Sequence, residues 1–276
     1  MIPAAASPCA EPALPHLAGA PLEIALSSRQ GERDRQQDHG IWKWTESGLL
    51  IAALFDGMGS LPGSGEVARI AGDCVLAVAA LPFTGSTRRA AATLRAASAL
   101  TREHTESEDG DTTAVLAVID PAAATVDGGW IGDSRLYVFD DDSILHLKST
   151  DHNLAHDRSV LTRSLVGGHG HLCERHPCEE HAPDSTWWPG AGGSARVWRV
   201  ILTTDGVHDV LTHDEMQEIV EVAVDAGHTA RRLTAFALRK AGRDARARGE
   251  ERDGDNATAL VVEFPPFRHT APTGRA

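Results

Sequence analysis

Four carboxylates stand where apolar segments of this chain begin or end. In "LLIAALFDGMGS", residues 49–60, seven apolar residues run straight into Asp56 and Gly57. "VWRVILTTDGVHDVL", residues 197–211, repeats the arrangement with Asp205 and Gly206. "RDGDNATALVVEF", residues 252–264, reverses it by placing Asp255 and Asn256 just before an apolar segment, and "RDRQQDHG", residues 33–40, puts Asp38 at the mouth of "GIWKW". Taken singly, each Asp-Gly is an ordinary turn former. Together they describe carboxylates gathered on a rigid rim, which would repel one another unless cations lay between them. All-oxygen ligation suits hard ions such as Mg²⁺ or Mn²⁺.

The elements that must position these acids can be read from the apolar pattern. Runs at 49–55, 114–119, 200–202 and 259–262 show no alternation, which suits strands covered on both faces. Two helical patterns, roughly 65–81 and 87–104, come back to back, and this argues against a doubly wound parallel sheet. Between 113 and 148 the pattern is strand, turn, strand, turn, strand, with "DGG" at 127–129 and "DDDS" at 140–143 as breakers, so pairing is antiparallel. Val67, Ile70, Cys74 and Val78, and later Leu233, Phe236 and Ala237, fall at helical spacing as apolar stripes. The fold class expected is α+β: two stacked antiparallel β-sheets flanked by pairs of α-helices.

A single domain is expected over 21–265, between a disordered Ala/Pro-rich tail at 1–20 and a C-terminal tail at 266–276. Within it, 151–196 breaks the strand pattern with six histidines, Trp187-Trp188 and many Gly and Pro, and reads as a long functional loop or flap. The formal net charge of −13 disfavours nonspecific binding to nucleic acid or anionic lipid. No apolar run approaches the roughly 18 residues of a membrane span. The N-terminal stretch lacks the basic n-region of a secretory signal. Four cysteines are too few for a disulfide framework, so a cytoplasmic location is expected.

Six segments, in order, resemble the metal-dependent protein phosphatases of type 2C, in their bacterial form. These are "RDRQQD", "FDGMG", "DTTAVLAVI", "WIGDSRLYVF", "LTTDGVHDVL" and "DNATALVV". The resemblance implies a layered α-β-β-α sandwich that hydrolyses phosphoserine or phosphothreonine in proteins, using water activated by two Mn²⁺ or Mg²⁺ ions. It implies that Asp56 bridges the two cations, that Asp205 and Asp255 complete one shell, and that the carbonyl of Gly57 binds the other ion. Asp38 acts nearby, largely through waters. Arg33 holds the substrate phosphate, with Arg35 as its neighbouring competitor. The partner implied is a phosphoprotein, itself the product of a serine/threonine kinase.

The chain also departs from the family pattern. Gln36-Gln37 precedes Asp38 where an acid is usual, which removes outer-shell charge and implies weaker metal binding. Asp111 replaces a glycine before Thr112-Thr113; it, Asp109 and Glu108 are candidates for a third ion. His208, three residues beyond Asp205, is not read as a metal ligand. Asp133, Ser134 and Arg135 are read as structural, and Cys173, His176, Cys178 and His181 as part of a solvated flap rather than a zinc site. The reading kept beside the enzyme is a pseudophosphatase that binds phosphoproteins without turnover.

Overall fold

The computed structural model describes residues 22–59, 61–81, 88–105, 110–155, 157–167, 183–189, 196–250 and 254–264. The expectations for both tails, for Glu108 and Asp109, and for Cys173, His176, Cys178 and His181 lie outside the described residues.

Two five-stranded antiparallel sheets form the centre. One runs in the order β1 (Glu23–Arg29), β12 (Ala257–Glu263), β11 (Val197–Thr203), β6 (Arg135–Asp140), β7 (Leu145–Leu147). The other runs β10 (Asp184–Trp188), β5 (Thr125–Ile131), β4 (Ala114–Asp120), β3 (Leu50–Phe55), β2 (His39–Trp44).

The unbroken apolar runs follow from burial on both faces. Along β3, Leu50, Ala52 and Leu54 point to the core between the sheets, while Ile51, Ala53 and Phe55 point to a second core under helices. Strand β12 divides the same way, with Leu260 and Val262 inward and Ala257, Ala259 and Val261 outward. Helices α1 (Ser64–Ala79) and α2 (Arg89–His104) cover the β3 sheet. The one-turn α3 (Asp205–His208), α4 (His213–Glu221) and α5 (Ala226–Arg248) lie on the β12 sheet side. The architecture is the α+β layered sandwich that the pattern implies.

Two differences from the sequence reading are instructive. The 151–196 stretch is not loop throughout: it contributes a small hairpin, β8 (Asn153–Leu154) with β9 (Asp157–Leu161), and the edge strand β10. Phe236 does not join the apolar stripe of α5. Leu233 and Ala237 are fully buried, but Phe236 is 38% exposed, because one residue of helix rotates a side chain by about 100°. Among the described residues no helix is long and apolar enough to cross a membrane.

Candidate metal centre

Strand register assembles the acids. Antiparallel pairing of β2 with β3 sets His39 opposite Phe55, so the residues just outside the pair, Asp38 and Asp56, meet at one end of that sheet. Pairing of β11 with β12 sets Thr203 opposite Ala259, and Thr204 N–H donates to the Thr258 carbonyl at 3.1 Å, which brings Asp205 beside Asp255-Asn256.

The two sheet ends are tied together through Asp38. Its Oδ2 accepts from Thr204 Oγ1 at 3.0 Å and from Thr258 Oγ1 at 2.7 Å, both on the opposite sheet. Its Oδ1 is buried and has no hydrogen-bond partner among the described residues. A buried oxygen left in that state is costly unless a cation or water meets it.

Burial pushes Asp38 up from its ordinary 3.8 to about 7, with the charges of Asp205 and Asp255 adding to the rise. Asp205 rises to about 6, from burial first and then from Asp255. Asp56, partly exposed by area but ringed by other acids, is pushed well above 3.8 by desolvation and by Asp205, Asp38, Asp133 and Asp255. Asp56 and Asp205 each perturb the other's titration, so the two carboxylates are neighbours. Carboxylates gathered this closely repel one another unless protons or cations lie between them. Among the described residues no three His, Cys, Asp or Glu side chains converge as a ready single-ion cage.

The loop bearing Arg33 and Asp38 is clamped by Asn256. Its Oδ1 accepts from Gln37 N–H at 2.7 Å, and its Nδ2 donates to the carbonyls of Gln30 (2.8 Å) and Arg35 (3.0 Å). Arg33 reaches the rim, with Nη2 2.6 Å from Asp255 Oδ2 and the pair open to solvent. Arg35 is exposed, and its backbone carbonyl is what the clamp uses.

Gly57 is required by packing: a Cβ there would lie 2.8 Å from the Ser64 carbonyl group and 2.9 Å from the Gln37 carbonyl oxygen. Gly206 is tighter still, since its Cβ would sit 2.1 Å from the Asn256 oxygen.

Asp111 is fully buried and differently placed. Its Oδ1 accepts from the N–H groups of Thr112 (2.7 Å) and Val166 (2.9 Å), and its Oδ2 from Ser164 Oγ (2.5 Å) and Gly167 N–H (3.1 Å). Its own backbone meets the turn after β3, where Met58 N–H donates to the Asp111 carbonyl at 3.0 Å. Asp111 thus joins residues 164–167 to the Asp56-Gly57 turn.

Sequence reasoning set aside Asp133, yet the structure puts it against the site. It rises to about 7 through burial and the charges of Asp205, Asp209 and Asp151. Asp209 stands four residues after Asp205, and that one-turn spacing was the available signal. Its neighbours in the hairpin serve the fold: Ser134 Oγ lies 2.7 Å from Thr113 Oγ1, and Arg135 forks onto Asp151. His208 is buried with Nδ1 2.8 Å from Thr203 Oγ1, as a packing residue would be. Thr204, Thr258 and Asn256 were missed as positioning residues; their signal was a polar side chain inside or beside an apolar run.

The protein phosphatase 2C family model matches residues 27–239. Among solved structures, the serine/threonine phosphatase Stp1 from Staphylococcus aureus is similar with a TM-score of 0.68 and 17% identity, covering 90% of this chain and 97% of that one. The Mycobacterium tuberculosis serine/threonine phosphatase PstP/Ppp is similar with a TM-score of 0.64 and 21% identity, covering 88% and 98%. A second structure, the catalytic domain of PstP in complex with 2 manganese ions, gives 0.63 and 21%, covering 88% and 97%. No curated protein sequence matches the chain.

Proposed function

Because the chain belongs to the protein phosphatase 2C family, whose members are metal-dependent serine/threonine phosphatases, we propose that it hydrolyses phosphoserine and phosphothreonine in phosphoproteins, with two Mn²⁺ or Mg²⁺ ions held by Asp38, Asp56, Asp205, Asp255 and the Gly57 carbonyl. The observation that carries this reading is the rim of mutually repelling acids, with Asp38 Oδ1 buried and unpartnered among the described residues. Bound divalent ions would lower the pKa of a coordinated water and offset phosphoryl charge. The protein's own part is to fix the ligands. Thr204 and Thr258 hold one oxygen of Asp38 and leave the other toward the site, while Asn256 sets the loop that brings Arg33 to the rim.

Arg33 is the phosphate clamp in this reading. Its fork now faces Asp255, and a phosphate dianion arriving at the rim competes for the same guanidinium. Asp111 is assigned a positioning role rather than a third ion, because each of its oxygens already takes two donors. A module that binds phosphoproteins without turnover would be expected to have lost rim acids, and none of the four is missing.

The test is turnover of p-nitrophenyl phosphate and of a phosphothreonine peptide with Mn²⁺ and with chelator. Turnover that needs the ion supports the proposal. Full turnover in chelator, or none at saturating Mn²⁺, overturns it.

A further inference from the structure

Helix α5 is out of keeping with the rest of the chain. It carries seven of the 26 Lys and Arg residues but one of the 39 Asp and Glu residues, in a protein of net charge −13. Arg232, Phe236, Arg239, Arg243 and Arg246 are spaced four, three, four and three residues apart, so they share one stripe. The stripe lies opposite the buried face made by Leu233, Ala237, Ala241 and Ala245. Phe236, the aromatic that the core does not take, is flanked by guanidinium groups. Arg232 Cζ lies 5.1 Å and Arg239 Cζ 4.4 Å from its ring centroid. Stacking on a ring holds these long side chains in place before any ligand arrives.

A solvated helix face does not account for the pattern. On α1, Arg69 is matched by acids of its own helix, bonding Glu66 at i−3 and Asp73 at i+4. On α5, Arg232, Arg239, Arg243 and Arg246 have no acid three or four residues away within the helix. Arg239 and Arg243 form a like-charge i,i+4 pair, which is unfavourable on a helix that has nothing else to bind there. The helix dipole favours only the bases of the last turn, Arg246 and Arg248.

The last turns of α5 reach the rim from the other side of the helix: Ala241, Asp244 and Arg248 line a cavity of about 280 Å³ whose other wall includes Asp205 and Asp255, and Arg246 of the stripe stands two residues before Arg248. From Arg232 to Arg246 the helix rises about 21 Å, the span of about six extended residues.

Resting on the phosphatase reading, we propose that Arg232, Arg239, Arg243 and Arg246, set around Phe236, form a docking strip for an Asp/Glu-rich stretch of the phosphoprotein substrate close in sequence to the phosphorylated residue. The occupant is a peptide because the strip carries only guanidinium groups around an aromatic ring and ends on the same last turns of α5 that, on their other side, line the cavity with Asp205 and Asp255. The chain's overall negative charge works against a long nucleic acid or a membrane lying on the same face.

The experiment compares phosphothreonine peptides that share one core and carry five Glu, or five Gln, before or after it. Each is assayed with the full chain in Mn²⁺, with p-nitrophenyl phosphate as a substrate too small to reach the strip. In at least one orientation the Glu peptide is expected to show a KM about tenfold below its Gln counterpart, a ratio that shrinks with salt. R239Q/R243Q/R246Q should abolish the ratio while leaving p-nitrophenyl phosphate turnover and the melting temperature unchanged. Equal KM values in both orientations overturn the proposal, as does a preference that survives in the triple variant. Failure on p-nitrophenyl phosphate strikes the phosphatase reading instead. The strip is then judged by fluorescence anisotropy of the same peptides, where equal affinity, or displacement of the peptide only by an oligonucleotide or anionic vesicles, overturns it.

Discussion

Asp38 and Asp111 are both shut away from water, yet their surroundings differ in kind. Around Asp111, four donors converge on two oxygens, so the protein itself meets the hydrogen-bonding capacity of the buried carboxyl group. Around Asp38, two threonine hydroxyls meet one oxygen, the other has no hydrogen-bond partner among the described residues, and the nearest charges are acids. Burial alone therefore does not mark a metal ligand. What separates the two is whether the protein supplies the compensation: it does so at both oxygens of Asp111 and at only one oxygen of Asp38. In the function proposed above, a cation supplies the rest.

The largest effect that could break this contrast is catalytic. Asp205→Asn and Asp56→Asn should each lower kcat by at least about a thousandfold, because each removes charge that holds the ions. Neither should lower the melting temperature of the metal-free protein, since each also removes repulsion among the acids. Steady-state kinetics beside thermal melts check both halves. Near-wild-type turnover in the two variants would dissolve the site assignment.

At the flap base the order reverses. Asp111→Ala leaves the Thr112, Val166 and Gly167 N–H groups and the Ser164 hydroxyl without their acceptor, and should cost about 2–4 kcal/mol in urea unfolding. A loss below about 0.5 kcal/mol would make Asp111 dispensable to the fold and reopen its role as a ligand.

The pH dependence of the metal-free protein sharpens the same comparison. Asp38 and Asp133, pushed up to about 7, and Asp205, pushed up to about 6, hold protons in the folded state that the unfolded chain has released above about 4. The folded state therefore binds more protons between about pH 4 and 7, so stability falls as pH rises through that window. Melting temperature in chelator should decline from pH 5 to pH 8, and saturating Mn²⁺ should flatten or reverse the decline. A rising profile in chelator would mean that the rim acids are not raised.

A smaller effect is expected from Arg33. Arg33→Ala should raise KM for a phosphopeptide about tenfold with less change in kcat, whereas Arg35→Ala should leave both within about twofold. The opposite ranking would move the phosphate clamp to Arg35.

The acids of the rim were legible because a carboxylate at the end of a fully apolar strand is a local pattern. Their partnership was not, because it depends on long-range register: His39 opposite Phe55, and Thr203 opposite Ala259. The same limit hid Thr204 and Thr258, whose hydroxyls read as strand residues until the second sheet brings Asp38 to them. Asp111 read as a candidate for a third ion, since three of the four donors that define it come from 164–167, more than fifty residues away. Phe236 was misplaced because positions 236 and 237 both fit a loose helical stripe; the arginines at 232 and 239 were the sign that it faces solvent.

Calorimetric titration with Mn²⁺ of the wild type, Asp56→Asn and Asp111→Asn tests the contrast between the two kinds of buried carboxylate most directly. Two ions are predicted for the wild type and for Asp111→Asn, with binding severely weakened in Asp56→Asn. Unaltered two-ion binding in Asp56→Asn, or loss of an ion in a folded Asp111→Asn, would contradict the account.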